Sequence, residues 1–129
     1  MPRLFLLFNH TLTPGQQEDA RTSLGAEAII APPVDISRLW SQLPPNDKSL
    51  ASLLAPVRDW LDVVTVPGDH VLIHGDFGAC FLMATHTMSR GLIPVYSTTE
   101  RHTFEETLDD GSVHMVHRFR HVLYRRYGE

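Results

Sequence analysis

The polar side chains that could perform chemistry in this sequence stand directly after apolar runs. Asn9, His10 and Thr11 follow the apolar residues 4–8. A histidine at the end of a strand can act as a general acid or base near neutral pH, or donate a hydrogen bond to a phosphate. The alternative is that His10 bonds only to local backbone. Because loops positioned by a rigid scaffold often carry function, we favour a functional His10.

A second group is a glycine-bearing turn made of Gly75, Asp76, Phe77 and Gly78, which links an apolar run to a helix-compatible segment. Glycines let the backbone approach a ligand closely, and the amides at a helix N-terminus attract anions. Alternatively, Asp76 only caps the helix and the glycines only make a tight turn. The spacing lacks the dinucleotide fingerprint and the phosphate-binding lysine, so it does not name a ligand.

A third polar group follows the apolar residues 93–96 and consists of Ser97, Thr98, Thr99 and Arg101. Arginine suits bidentate contact with phosphate and stabilises the charge that develops during phosphoryl transfer. Arg101 could equally pair with a neighbouring glutamate on the surface. We take His10 and Arg101 as the catalytic candidates. The ligand-binding candidates are Asn9, Thr11, Gly75, Asp76, Phe77, Gly78, Ser97, Thr98 and Thr99.

The remaining histidines and the single cysteine show no metal-ligand spacing. On a strand, His114 and His117 face opposite sides, so their spacing does not form a metal site. His74 lacks a carboxylate or cysteine partner at metal-ligand intervals. Cys80, within a predicted helix beside Phe81, is expected to be a buried small hydrophobe. We expect no metal and no cofactor.

The elements that position these groups alternate between strand and helix, which predicts an α/β fold with a mostly parallel, Rossmann-like sheet flanked by helices. Right-handed crossovers give the sheet order second, first, third, fourth strand. Ligands bind where the strand order reverses, at the carboxyl ends of the first and third strands. The loop at residues 9–11 should therefore lie beside the turn at 75–78. The strands are predicted over residues 3–8, 27–30, 71–74 and 93–97, and the helices over 14–25, 35–43, 49–64 and 77–90. Pro56 lies inside the segment 49–64 and could kink it or split it in two.

The pattern changes near the C-terminus from helical to alternating. Residues 103–108 and 112–124 flank Asp109, Asp110 and Gly111, a turn signal that predicts a β-hairpin. The whole chain, residues 1–129, is predicted to be one domain.

Composition excludes several classes of protein. A net charge of −4 argues against a protein that coats long nucleic acid, but it is compatible with a small anionic ligand. One cysteine permits no internal disulfide, and the first apolar run is too short for a signal peptide or a membrane span. We therefore expect a cytoplasmic protein with no membrane association.

Three stretches together resemble a known family. LFLLFNHTLT at residues 4–13, GDFGA at 75–79 and GLIPVYSTT at 91–99 resemble the small stand-alone proteins of type III CRISPR systems, of the short Csx type. Those proteins are similar to pared-down CRISPR-associated Rossmann-fold (CARF) domains. The resemblance implies a homodimer that binds cyclic tetra-adenylate across its two-fold axis, and some members are ring nucleases that cut this messenger into linear adenylates.

The resemblance also implies roles for the candidate residues. It places Asn9 and His10, the turn at residues 75–78 and the residues 97–101 around the ligand. Cleavage needs no metal if the ribose 2′-hydroxyl attacks its own phosphate and leaves a 2′,3′-cyclic phosphate end. Arg101 and the turn amides would then bind phosphate, His10 would be the acid or base, and Phe77 or Tyr96 would contact adenine.

Two rival interpretations stay open. One is a non-catalytic module of the same fold that senses or sequesters cyclic oligoadenylate. The other is a structural or interaction subunit whose polar strand ends are only caps and turns.

Overall fold

The computed structural model describes residues 2–129. Its five strands form one sheet in the order β2-β1-β3-β4-β5, in which only the β4–β5 pair is antiparallel. The predicted α/β class, the mostly parallel sheet with flanking helices and the C-terminal hairpin are therefore confirmed, as is the order of the first four strands. The elements are β1 (Leu4–Leu7), α1 (Pro14–Ser23), β2 (Ile29–Ile30), α2 (Val34–Ser41), α3 (Ala55–Val64), β3 (His70–Ile73), α4 (Phe77–Ser89), β4 (Ile93–Thr107) and β5 (Val113–Arg126).

The two central strands, β1 and β3, are covered on both faces. Phe5 and Ile73 pack with the apolar sides of α2, α3 and α4, and Leu4 and Leu72 pack on the opposite face with Ala20 of α1. All four strand side chains are fully buried. Burial of such a side chain stabilises the fold by about 1.5–3 kcal/mol, so this double layer holds the carboxyl ends of β1 and β3 in place.

The start of α1 has Thr13 as its N-cap and Pro14 at its first helical position. Thr13 Oγ1 accepts a hydrogen bond from the Gln16 amide at 3.2 Å, and Gln16 Oε1 accepts one from the Thr13 amide at 2.9 Å. These reciprocal bonds satisfy two backbone donors and fix where the chain leaves the loop after β1.

The predicted helix over residues 49–64 is wrong in its first part, because α3 begins only at Ala55. Pro56 explains the difference. Proline lacks an amide hydrogen and is tolerated in the first turn of a helix, whereas it disrupts a helix interior. Residues 51–54 form turns instead, and Leu54 still reaches the core.

The prediction that the fourth strand ends at Ser97, followed by a polar loop, is also wrong. β4 continues to Thr107 and pairs with β5, with a register shift between Ser97 and Thr99. The polar residues from Thr99 onward fit a strand because their backbone groups pair with β5 while their side chains are exposed to solvent. We call residues 99–107 of β4 and 113–121 of β5 the ribbon.

In residues 2–129, no helix combines the length and apolar character that crossing a membrane requires.

Candidate functional site

The carboxyl ends of β1 and β3 meet as the strand order predicts. Asn9 and His10 are exposed in a bend just after β1, and His74 directly follows β3. The Phe8 ring lies between the two histidines, with its centroid 5.5 Å from that of His10 and 5.4 Å from that of His74. The Phe8 ring therefore contacts both histidines at the point where the strand order reverses, which we call the switch point.

A cleft of about 500 Å³ opens at the end of β1. We call it the β1 cleft, and Asn9, His10 and Thr11 line it together with Gln17 and Arg21 of α1. Arg21 is exposed and makes no ion pair with any residue in the described range 2–129. Arg21 therefore supplies a positive charge to the same cleft as His10. The sequence predicts this role for Arg101.

His74 was considered in the sequence only as a metal ligand, yet it occupies the switch point. Its Nε2 accepts a hydrogen bond from the Ser97 amide at 2.8 Å. Burial lowers the pKa of His74, so the ring is neutral near pH 7. A neutral ring that accepts at Nε2 carries its proton on Nδ1 and is a donor there. The sequence could have indicated this position, because His74 directly follows an apolar strand and His10 follows one after a single residue.

In the glycine turn, the capping interpretation of Asp76 agrees with the structure. Asp76 Oδ1 accepts a hydrogen bond from the Ala79 amide at 3.0 Å, so a carboxylate already occupies part of the α4 N-terminus. Packing against Trp40 favours glycine at position 75, because a Cβ there would lie 3.0 Å from Trp40 Nε1. Trp40 in turn donates from Nε1 to the His74 carbonyl at 2.7 Å. Gly78 is exposed beside the cap.

On the other face of the sheet, a pocket of about 510 Å³ adjoins the same turn. We call it the aromatic pocket. Phe77, which is 93% exposed, and Tyr96 both line it, so the two residues predicted to contact a base share one pocket. The Arg125 guanidinium lies 5.7 Å from the centroid of the Tyr96 ring. Flat aromatic walls with a nearby cation suit a planar heterocycle.

Ser97 is buried and forms a network that the sequence did not reveal. Its hydroxyl lies 2.5 Å from His121 Nδ1, and His121 Nε2 lies 2.7 Å from Asp19 Oδ2. Burial tends to raise the pKa of Asp19, but hydrogen bonds from Ser23 and His121 outweigh it and lower the pKa overall. The ionised carboxylate of Asp19 accepts a hydrogen bond from His121 Nε2, and the Ser97 hydroxyl is the partner of His121 Nδ1.

The order of these partners is that of a serine nucleophile, its base and an orienting carboxylate. The exposure runs the opposite way, however, because Ser97 is 7% exposed whereas the Asp19 side chain is 22% exposed. A nucleophile must reach its substrate, so the network acts as an anchor that ties β5 to α1. Tyr124 adds to it by donating to the Gln16 carbonyl at 2.9 Å.

The other residues of the third polar group lie on the ribbon or at its base. Thr98 Oγ1 bonds to the Leu123 backbone, and Thr99 is exposed. Arg101 donates to His117 Nδ1 at 2.7 Å and lies four strand residues beyond Ser97, about 13 Å along β4. No contact joins Arg101 to His10 within residues 2–129, so one protomer does not combine the two catalytic candidates. Within the same range, no three side chains of His, Cys, Asp or Glu are grouped as metal ligands.

Comparison with known proteins identifies relatives over nearly the whole chain. The model of the family described as "Uncharacterized protein MJ1673 family" matches residues 2–125. The protein described as "Uncharacterized protein MJ1673" from Methanocaldococcus jannaschii is 39% identical over 127 residues, which cover 98% of each chain. No solved structure matches this sequence. The extent of both matches shows that this chain belongs to the MJ1673 family.

Proposed function

We propose that this protein is a cytoplasmic ring nuclease that cuts cyclic tetra-adenylate into linear adenylates and so switches off type III CRISPR signalling. The observation that carries the proposal is the β1 cleft, which opens at the carboxyl end of β1 on the side of α1 and β2. There an exposed histidine, His10, stands beside Asn9, Thr11 and the unpaired cation of Arg21. A cleft with a titratable ring, amide and hydroxyl donors and one arginine suits a phosphodiester.

The proposed reaction uses a nucleophile that belongs to the substrate. The ribose 2′-hydroxyl attacks the adjacent phosphorus, and the bond from phosphorus to the 5′-oxygen of the next nucleotide breaks. His10 takes the proton from the 2′-hydroxyl or gives one to the leaving oxygen. Arg21 binds the phosphate and stabilises the charge that builds on it. The products carry a 2′,3′-cyclic phosphate and a 5′-hydroxyl, and the reaction itself calls for no metal.

The resemblance to CARF domains supplies the substrate class, and one feature of the structure and one symmetry argument support it. The aromatic pocket with Phe77 and Tyr96 offers flat walls for an adenine. A cyclic tetranucleotide has two-fold symmetry, so a homodimer can present identical clefts to its two halves. Neither the β1 cleft nor the aromatic pocket is large enough to hold four nucleotides by itself.

One observation favours the rival function, a non-catalytic module that binds or sequesters the messenger. His10 makes no hydrogen bond with any of residues 2–129, and its ring contact is with Phe8. Catalytic bases are commonly oriented by a third group, and residues 2–129 of one protomer supply none to His10.

Replacing His10 tests the proposal. We expect His10→Ala to bind cyclic tetra-adenylate within a few-fold of wild type and to cut it at least 100-fold more slowly, because general acid–base catalysis contributes about 10²–10⁴-fold. Binding is measured by titration calorimetry, and cutting by chromatography of single-turnover reactions. His114→Ala is the matched control, since His114 is an exposed histidine near the ribbon tip.

The variants separate the three interpretations. Loss of cutting with retained binding in His10→Ala alone supports the ring nuclease. Binding without cutting by the wild-type protein supports the sequestering module. Absence of both supports a structural or interaction subunit.

A further inference from the structure

The ribbon is a long antiparallel pair with almost no support from the rest of the protein. Among its residues only Val116 and His121 are not exposed, and the His121 side chain, bonded to Asp19 of α1, is 8% exposed and marks the covered end of the ribbon. Phe119 is 70%, Met115 56% and Val113 57% exposed. A two-stranded ribbon by itself is only marginally stable in water, and apolar side chains grouped on a surface mark an interaction site.

The register of the ribbon divides its side chains between two faces. Side chains alternate along each strand, and residues paired across the strands share a face. Val113, Met115 and Phe119 therefore lie on one face, which we call the Phe119 face. Its paired residues are Thr99 with His121, Arg101 with Phe119, Thr103 with His117, Glu105 with Met115, and Thr107 with Val113.

The Phe119 face is complementary to a second copy of itself. Consider two ribbons packed face to face, with a two-fold axis that passes over the pair Thr103–His117, perpendicular to the strands. Residues at equal distances on either side of that pair then meet. Arg101 faces Glu105 of the second copy and Phe119 faces Met115 of the second copy, and the symmetry repeats each contact.

The opposite face of the ribbon lacks this match. Its pairs are Glu100 with Arg120, His102 with Arg118, Phe104 with Val116, and Glu106 with His114. An axis over the apolar pair Phe104–Val116 would set His102 against Glu106 of the second copy, but it would set Arg118 against His114, so only one of the two contacts is complementary. Arg118 already lies over the Phe104 ring, 5.1 Å from its centroid.

We propose that the Phe119 face is a homodimer interface in which two ribbons pack antiparallel, held by apolar contacts between Phe119 and Met115 and by two Arg101–Glu105 ion pairs. The partner is a second copy of this chain because opposite charges and apolar side chains coincide under one symmetry axis. This inference does not depend on the proposed function, and it gives Arg101 an interface role.

Charge exchange tests the interface directly. Arg101→Glu and Glu105→Arg each bring like charges together across the axis, so each should weaken dimerisation by about tenfold or more. The double variant Arg101→Glu/Glu105→Arg restores opposite charges and should return the dimer to within a few-fold of wild type. The readout is the dissociation constant from sedimentation velocity over a concentration series. Glu106→Arg, on the opposite face, is the control and should dimerise like wild type.

Each other outcome overturns the proposal. A wild-type protein that stays monomeric at the highest attainable concentration has no such interface. If the single variants dimerise like wild type, the interface lies elsewhere. If the double variant dimerises no better than the single variants, Arg101 and Glu105 do not form an ion pair across the interface. Circular dichroism of each variant checks that the substitution leaves the fold intact, as we expect because the ribbon lies outside the core.

A cross-linking measurement keeps the test independent of charge. Packed sheets lie about 10 Å apart, so Thr103→Cys, on the axis, should be joined to its copy by a short bismaleimide. Asp110→Cys lies at the ribbon tip, and antiparallel packing puts the two tips at opposite ends, so it should not cross-link. Cross-linking at the tip but not on the axis would contradict the geometry. The native Cys80 is buried and serves as the background.

Discussion

At the scale of single residues, Asp69 shows how a buried charge is held beside the central strands. Its side chain is 1% exposed and accepts hydrogen bonds from Arg3 Nη2 at 2.8 Å and from the Val66 amide at 2.9 Å. Burial tends to raise the pKa of Asp69, but the bonds from Arg3 and Val66 outweigh it and the pKa is lowered overall. The native state therefore favours the ionised carboxylate more than the unfolded state does.

This pKa shift predicts how stability depends on pH. A lowered pKa contributes stability that is present above the unfolded-state value and is lost as the pH falls through the folded-state value. We expect Asp69→Asn to lower the free energy of unfolding at pH 7 by about 1–3 kcal/mol. The gap between the variant and wild type should narrow on acidification below about pH 4. Urea unfolding at several pH values measures this.

The exposed Asp59→Asn is the control and should follow the wild-type curve at every pH. A constant difference between Asp69→Asn and wild type over the whole acidic range would show that ionisation of Asp69 is not coupled to folding.

Single residues also show which parts of the site a sequence can reveal. Asn9 and His10 could be predicted because they follow an apolar strand, and the same rule would have found His74. The network of Ser97, His121 and Asp19 could not, because its members are 24 and 102 residues apart. Their meeting depends on the register shift in β4 and on how α1 packs, neither of which leaves a local pattern.

At the scale of elements, the order of the parallel strands could be predicted because buried runs and right-handed crossovers allow few arrangements. The length of β4 could not. A strand that is solvated on both faces lacks the apolar alternation by which strands are recognised, and its hydroxyl and charged residues are equally typical of a loop. The turn at Asp109, Asp110 and Gly111 carried enough information to identify the hairpin.

The attachment of the hairpin to α1 gives a prediction for an element. His121→Ala removes the partner of both Ser97 and Asp19, so we expect the free energy of unfolding to fall by about 1–3 kcal/mol. Amide hydrogen exchange should speed up along the ribbon more than in β1 and β3.

His117→Ala is the control for this element, since His117 is a histidine of the same strand but bonds only to exposed residues of the ribbon, Arg101 and Thr103. His117→Ala should leave amide hydrogen exchange near the register shift between Ser97 and Thr99 unchanged. Equal effects of the two variants would mean that the network does not anchor the hairpin.

At the scale of the whole molecule, the β1 cleft and the aromatic pocket lie away from the ribbon. The β1 cleft opens beside α1 and β2 and the aromatic pocket beside α4 and β4, on opposite faces of the sheet, whereas the ribbon extends beyond the parallel strands. In the proposed dimer, the clefts would bind the proposed ligand and the ribbon would pair the two chains. The homodimer proposed for a two-fold symmetric ligand and the interface proposed on the ribbon therefore rest on separate observations.

The measurement that tests the central claim most directly is an incubation of the purified wild-type protein with cyclic tetra-adenylate in the presence of a chelator. The products are separated by chromatography and identified by mass. We expect linear adenylates that end in a 2′,3′-cyclic phosphate and a 5′-hydroxyl. An intact ring after long incubation with excess protein would contradict the ring nuclease, and so would products with other ends.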